Sequence, residues 1–75
     1  MKLSSRPPIY RMSQIRRHLV GGKPFNAASI ARELEVVPET IHRDIYFMRD
    51  FLNYEFNFDH KTNSYTGHPP AITTL

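Results

Sequence analysis

Five polar side chains, Glu39, Thr40, His42, Arg43 and Tyr46, lie close together in the sequence and off the apolar repeat of Ile41, Ile45 and Met48 that runs among them. At helical spacing they project away from the apolar stripe and form an outward set near one helix start. Hydroxyl, imidazole, guanidinium and phenol groups in such an array donate hydrogen bonds and attract anions. They do not break bonds: no nucleophile elbow and no paired carboxylates accompany them, so the chain reads as a non-enzyme. The plainer alternative is a solvated helix face. On that reading Glu39, four residues before Arg43, supports the helix, and Arg43 and Asp44 belong to a surface ion-pair set. Asp44 repels anions and reads as structural, orienting a nearby arginine.

Two further groups could join this chemistry. Lys61 and His60 sit in the segment Asp59, His60, Lys61, Thr62, Asn63, which is rich in turn formers. Lys61 on such a loop tip is either a solvated charge or a contact. At Asn26 to Ser29 a helix start can present backbone N–H groups to an anion. Metal chemistry finds no support, because His18, His42, His60 and His68 show no zinc spacing and the chain has no cysteine. Gly21, Gly22, Lys23 and Pro24 lack the spaced glycine and the Ser or Thr of a phosphate loop. No cofactor is expected.

The elements that must position these residues are legible as periods. Ile9, Met12, Ile15, Leu19 and Val20 predict a first helix, stopped by Gly21 and Gly22, with Arg16 inside the apolar arc and needing either water or an acidic partner. Lys23 and Pro24 form a short link. Asn26 then caps a second helix running to about Leu34, Phe25 and Ile30 can close as a hydrophobic staple, and Ala31 permits a close helix crossing. After Glu35 to Val37, Pro38 suits the first turn of the longest helix, which carries Ile41, Ile45, Met48 and Leu52 inward. The period then falls to two: Tyr54, Phe56 and Phe58 predict a strand with one buried face, and Ser64, Tyr65 and Thr66 its return as a hairpin. Tyr54, Phe56, Phe58 and Tyr65 read as core, and most aromatics are expected to be buried.

With 75 residues, 40% of them apolar, and no cysteine, the chain predicts one small domain held by packing alone. Residues 1–8 read as a flexible arm, 9–66 as the domain and 67–75 as a linker or disordered tail. No apolar run is long enough to span a bilayer and no signal peptide is evident, so a cytoplasmic, membrane-free protein is expected. A formal charge of +3 favours polyanionic partners without demanding one. Three helices and a hairpin, with a very short turn between helices two and three, predict a mainly α fold with a small β-hairpin, a winged helix-turn-helix.

Residues 29–45, SIARELEVVPETIHRDI, resemble the helix-turn-helix of DeoR-type and WYL-domain bacterial regulators, roughly LAxxLxVSxxTIxRDI. Ala31, Leu34, Val36, Thr40, Ile41, Arg43, Asp44 and Ile45 fall in register. The flanks also resemble the WYL group: Arg11 with Met12, the run from Phe47 to Asp50, and the hairpin aromatics. The resemblance spans about residues 9–65. It departs at Glu35, where the family has Gly in the turn, and at Val37, where a capping Ser is usual. It implies the DNA-reading head of a transcriptional regulator, a repressor, with helix 38–52 in the major groove of double-stranded DNA and the 59–63 hairpin tip as wing. By that resemblance Thr40 contacts phosphate, Arg43 phosphate or guanine, and His42 a base edge, with Pro38, Glu39 and Tyr46 around them. His60 and Lys61 reach sugar and phosphate beside the groove, and Asn26 and Ser29 attend a phosphate at the second helix start. A homodimer and a C-terminal ligand-sensing domain beyond this chain are implied as well. The competing class is a winged-helix interaction or dimerisation module without DNA binding, favoured if Glu39, Asp44 and Asp50 interrupt the positive face. A single-strand or RNA binder would need exposed aromatics.

Overall fold

The computed structural model describes residues 7–71. Pro7 precedes and Pro8 opens α1 (Pro8–Val20), a position where the missing N–H of proline would have had no helical partner in any case. The helix thus starts one residue before the expected Ile9, and residues 1–6 of the expected arm lie outside the described residues. Met12, Ile15 and Leu19 face inward as the spacing predicts, but Ile9 and Val20 are 62% and 60% exposed. Both sit at the helix ends, uncovered by any described element, while Arg11 is drawn into the buried arc instead. Among the described residues Arg16 finds no acid, and its Nε is buried without a hydrogen-bond partner.

Asn26 caps α2 (Ala27–Leu34), its Oδ1 accepting from the Ser29 N–H at 3.1 Å. Phe25 and Ile30 are both buried, as a staple requires. The helix ends at Glu35, which takes the left-handed conformation with φ 62 and ψ 42, while the Val36 N–H donates to the Ala31 carbonyl at 2.9 Å. A three-residue turn then leads to α3 (Pro38–Phe51), entered through Val37 with no side-chain cap and with Pro38 in its first turn. Ile41, Asp44, Ile45 and Met48 form its buried side. Ile15, Ile30, Ile41, Ile45 and Met48 supply the largest fully buried side chains, so the core lies where the three helices meet.

β1 (Glu55–Asp59) and β2 (Ser64–His68) pair antiparallel, with Phe56 opposite Gly67 and Phe58 opposite Tyr65. The return strand therefore runs two residues past Thr66, and Gly67 and His68 belong to the hairpin rather than to a tail; residues 72–75 lie outside the described residues. Gly67 permits this extension. Its φ of 153 and a close approach to the Glu55 backbone carbonyl leave no room for a Cβ. A bridge that the spacing does not reveal adds a third edge: Phe25 donates to the Tyr65 carbonyl at 3.0 Å and accepts from its N–H at 2.6 Å. The link between α1 and α2 is thereby tied to the hairpin. Three helices with this hairpin form a mainly α, winged helix-turn-helix layout.

Burial of the aromatics differs from expectation. Tyr54 is buried and Phe56 and Tyr65 are half-buried, but Phe58 is exposed. Tyr10, Tyr46, Phe47 and Phe51 are exposed too, so five of the nine aromatics face solvent rather than a minority. A two-stranded hairpin has no further layer to cover both its faces, and Phe47 and Phe51 lie off the inward stripe of α3. None of the helices among the described residues is long and apolar enough to cross a membrane.

Candidate nucleic-acid interface

Helical spacing places Glu39, Arg43 and Tyr46 on the exposed side of α3, with Thr40 and His42 partly covered. Pro38 is exposed at the helix start. The stripe extends further than the sequence suggests. The His42 and Tyr46 rings lie 6.5 Å apart, and the Arg49 guanidinium sits over Tyr46 at 5.1 Å from the ring centroid. Arg49 also bonds Asp50 through Nε at 2.9 Å, and that hydrogen bond holds its guanidinium above the ordinary arginine value. The positions 42, 46 and 49 follow a helical period, so the signal for Arg49 was present in the spacing.

Asp44 is absent from this surface because it points the other way. Its carboxylate accepts from Arg11 Nε at 2.6 Å and Nη2 at 3.0 Å, a bidentate pair with side-chain exposures of 8% and 11%. The hydrogen bonds it donates to Asp44 raise the Arg11 guanidinium above its ordinary value, against the cost of desolvation. Asp44 is thus the acid that orients a nearby arginine, and the arginine is Arg11.

A cleft of about 270 Å³ opens where the starts of α2 and α3 meet the hairpin, lined by Asn26, Ala27, Ala28, Pro38, His42, Phe58, Asn63 and Tyr65. Three of the expected contact residues, Asn26, Pro38 and His42, converge here. Both polar atoms of the Asn26 side chain are engaged: beyond capping α2 through Oδ1, its Nδ2 donates to the Asn63 carbonyl at 2.8 Å, clamping the helix start to the hairpin turn. Ser29 is exposed, but its N–H is taken by that cap. An anion at the α2 start would meet the N–H groups of Ala27 and Ala28 instead. The Tyr65 hydroxyl lies 3.3 Å from His42 Nδ1. Burial pushes the Tyr65 phenol above its ordinary value, an effect that the nearby Tyr46 adds to and Arg49 opposes.

The hairpin tip is shaped by its own polar groups. Asp59 Oδ1 accepts from the Lys61 N–H at 2.9 Å, Asn63 adopts a left-handed φ of 54, and the His60 ring packs edge-on to Phe58 at 4.9 Å. Lys61 and His60 are both exposed. Among the described residues no hydrogen bond or ring contact joins either of them to α3, so they form a separate outpost rather than part of the cleft. Tyr65, Phe58 and Asn63 were not among the expected contacts. Their part depends on pairing between distant segments, for which local spacing carries no signal. A second cleft, of about 330 Å³ and lined by Gln14, Arg17, His18, Gly21, Lys23 and Glu33, shares no residue with this face. No group of three or more potential metal ligands occurs among the described residues.

No family model, no curated protein and no solved structure matches this chain.

Proposed function

We propose that this chain is the DNA-reading head of a transcriptional regulator of the DeoR or WYL kind, acting as a repressor. It binds double-stranded DNA with α3 in the major groove and the 59–63 tip as wing. The observation that carries this reading is the inward turn of Asp44 onto Arg11. It removes from the outward stripe the carboxylate that would most directly repel phosphate, and leaves Thr40, His42, Arg43 and Tyr46 interrupted only by Glu39. Asp50, the other acid in question, stays exposed and pairs with Arg49 at 2.9 Å, so the two charges offset each other at the end of the stripe. Arg43 and Thr40 then meet phosphate, and His42 meets a base edge.

The test is duplex binding as a function of salt. About four neutralised phosphates give a slope of log affinity against log salt near −3.6, at about −0.9 per contact. Arg43→Ala is expected to remove most of the affinity and lower that slope by about 1, while the thermal midpoint stays within a few degrees, because the side chain is exposed. Ile41→Ala, in the core, does the opposite. Salt-independent binding, or equal unfolding by both substitutions, overturns the reading.

A second reading, a protein-contact module, has one observation in its favour. Phe47 and Phe51 are 44% and 71% exposed, with rings 5.1 Å apart on one side of α3. If it holds, Phe47→Ser with Phe51→Ser changes sedimentation of the chain and leaves DNA binding absent in both forms.

A further inference from the structure

His42 and Tyr65 stand 23 positions apart, yet the fold holds them edge to edge. Tyr65 is fixed by its backbone bridge to Phe25 and by ring contacts with Phe25 at 5.5 Å and Phe58 at 4.8 Å. His42 is fixed by α3, and the Asn26 clamp on Asn63 holds the hairpin turn against the start of α2. The hydroxyl therefore meets Nδ1 and not Nε2.

In neutral imidazole one ring nitrogen carries the proton and the other accepts, and the partner of one decides the role of the other. A phenol donates strongly and accepts poorly, since its oxygen lone pair is delocalised into the ring. Among the described residues the Tyr65 hydroxyl has no other hydrogen-bond partner, so were Nδ1 protonated the phenolic proton would have only solvent to accept it. Both considerations give the same arrangement, in which Tyr65 donates to Nδ1 and the imidazole proton resides on Nε2, on the opposite edge of the ring. Desolvation keeps the phenol in its protonated, donating form.

Resting on the DNA-reading proposal, we infer that Tyr65 is a positioning residue that fixes the tautomer of His42, so that the ring offers Nε2–H as a donor and reads a base-edge acceptor: purine N7, guanine O6 or thymine O4. In the major groove adenine, guanine and thymine all present such an acceptor, whereas cytosine offers only its amino donor, which such a ring refuses. Specificity at one base pair is thus set by a hydroxyl that does not itself reach the DNA.

Two measurements test this. Nitrogen-detected NMR of the free protein at alkaline pH, where imidazole is neutral, is expected to find Nε2 protonated and Nδ1 bare in the wild type, and a mixture of the two tautomers in Tyr65→Phe. Phenylalanine keeps the ring contacts, and an unchanged thermal midpoint separates the tautomer effect from unfolding. Selection from random duplexes is expected to show cytosine disfavoured at one position, a preference weakened about five- to tenfold in Tyr65→Phe and lost in His42→Ala, while the salt slope of Tyr65→Phe stays that of the wild type. A protonated Nδ1 in the wild type overturns the inference, as does a Tyr65→Phe variant with unchanged tautomer and unchanged preference. The tautomer is read without DNA, so absence of duplex binding overturns the proposed function, and the NMR result still decides the role of Tyr65.

Discussion

Asp44 shows how one side chain can matter twice, by the charge it takes inward and by the charge it leaves unopposed outside. Its pair with Arg11 is bidentate and buried. Removing one partner of such a pair strands the other charge, at a cost of about 3–5 kcal/mol. That is a large part of the ~4–11 kcal/mol available to a domain of 75 residues. Asp44→Ala is expected to bring the domain close to unfolding at room temperature, whereas Arg11→Met with Asp44→Leu stays within about 1 kcal/mol of the wild type. Urea denaturation of the three proteins checks this, and a double variant as weak as the single one counts against a buried pair. Tyr65 gives a second test at this scale. Its folded pKa is raised, so its contribution is fully present below the unfolded value of about 10 and is lost as pH rises through the higher folded value. Wild-type stability should fall relative to Tyr65→Phe above about pH 10; parallel stability curves would remove Tyr65 from the account.

Element ends carry the strain of this fold. Glu35 closes α2 in the left-handed region, where a β-carbon costs about 1 kcal/mol or more and glycine costs nothing sterically. Greater freedom of glycine in the unfolded chain offsets part of the gain. Glu35→Gly is therefore expected to stabilise by about 0.5 kcal/mol, raising the Tm by about 2–4 °C in a calorimetric scan. A lower Tm would mean that the Glu35 side chain contributes more than its backbone strain removes. Val37, by contrast, opens α3 without a side-chain acceptor, and Pro38 offsets the loss by lacking an N–H to satisfy. The two departures from the resembled pattern thus differ in kind. One stores strain in the turn, and the other has been compensated at the next residue.

At the scale of the molecule, the candidate contacts are the outward stripe of α3, the cleft beneath the hairpin, and Lys61 on the separate tip. On the proposed function, one such head would read only a few base pairs, each adding about 1–3 kcal/mol, which is too little to single out one site in a genome. The same proposal then expects two heads to pair on a two-fold site with half-sites about one helical turn, ~34 Å, or a multiple apart. Footprinting checks this. Protection of one asymmetric half-site at one protomer per duplex contradicts the paired arrangement.

The sequence by itself determined whatever depends on neighbours along the chain. The stripes Met12, Ile15, Leu19 and Ile41, Ile45, Met48, the Asn26 cap, Pro38 in the first turn and the hairpin at 59–63 all follow from local spacing and backbone preference, which act over a few residues. The outward set on α3 followed from the same periods, and Arg49 could have been added by carrying them one turn further. Only the tertiary structure decided which distant groups meet. Arg11 and Asp44 lie 33 positions apart, Asn26 and Asn63 37, and His42 and Tyr65 23. Arg11, not Arg16, became the buried arginine because an acceptor stood opposite it, and Phe58 stayed exposed because no third layer covers the hairpin. Periodicity states which side of an element is apolar. It does not state what stands across from that side, because that depends on how all the elements are packed at once.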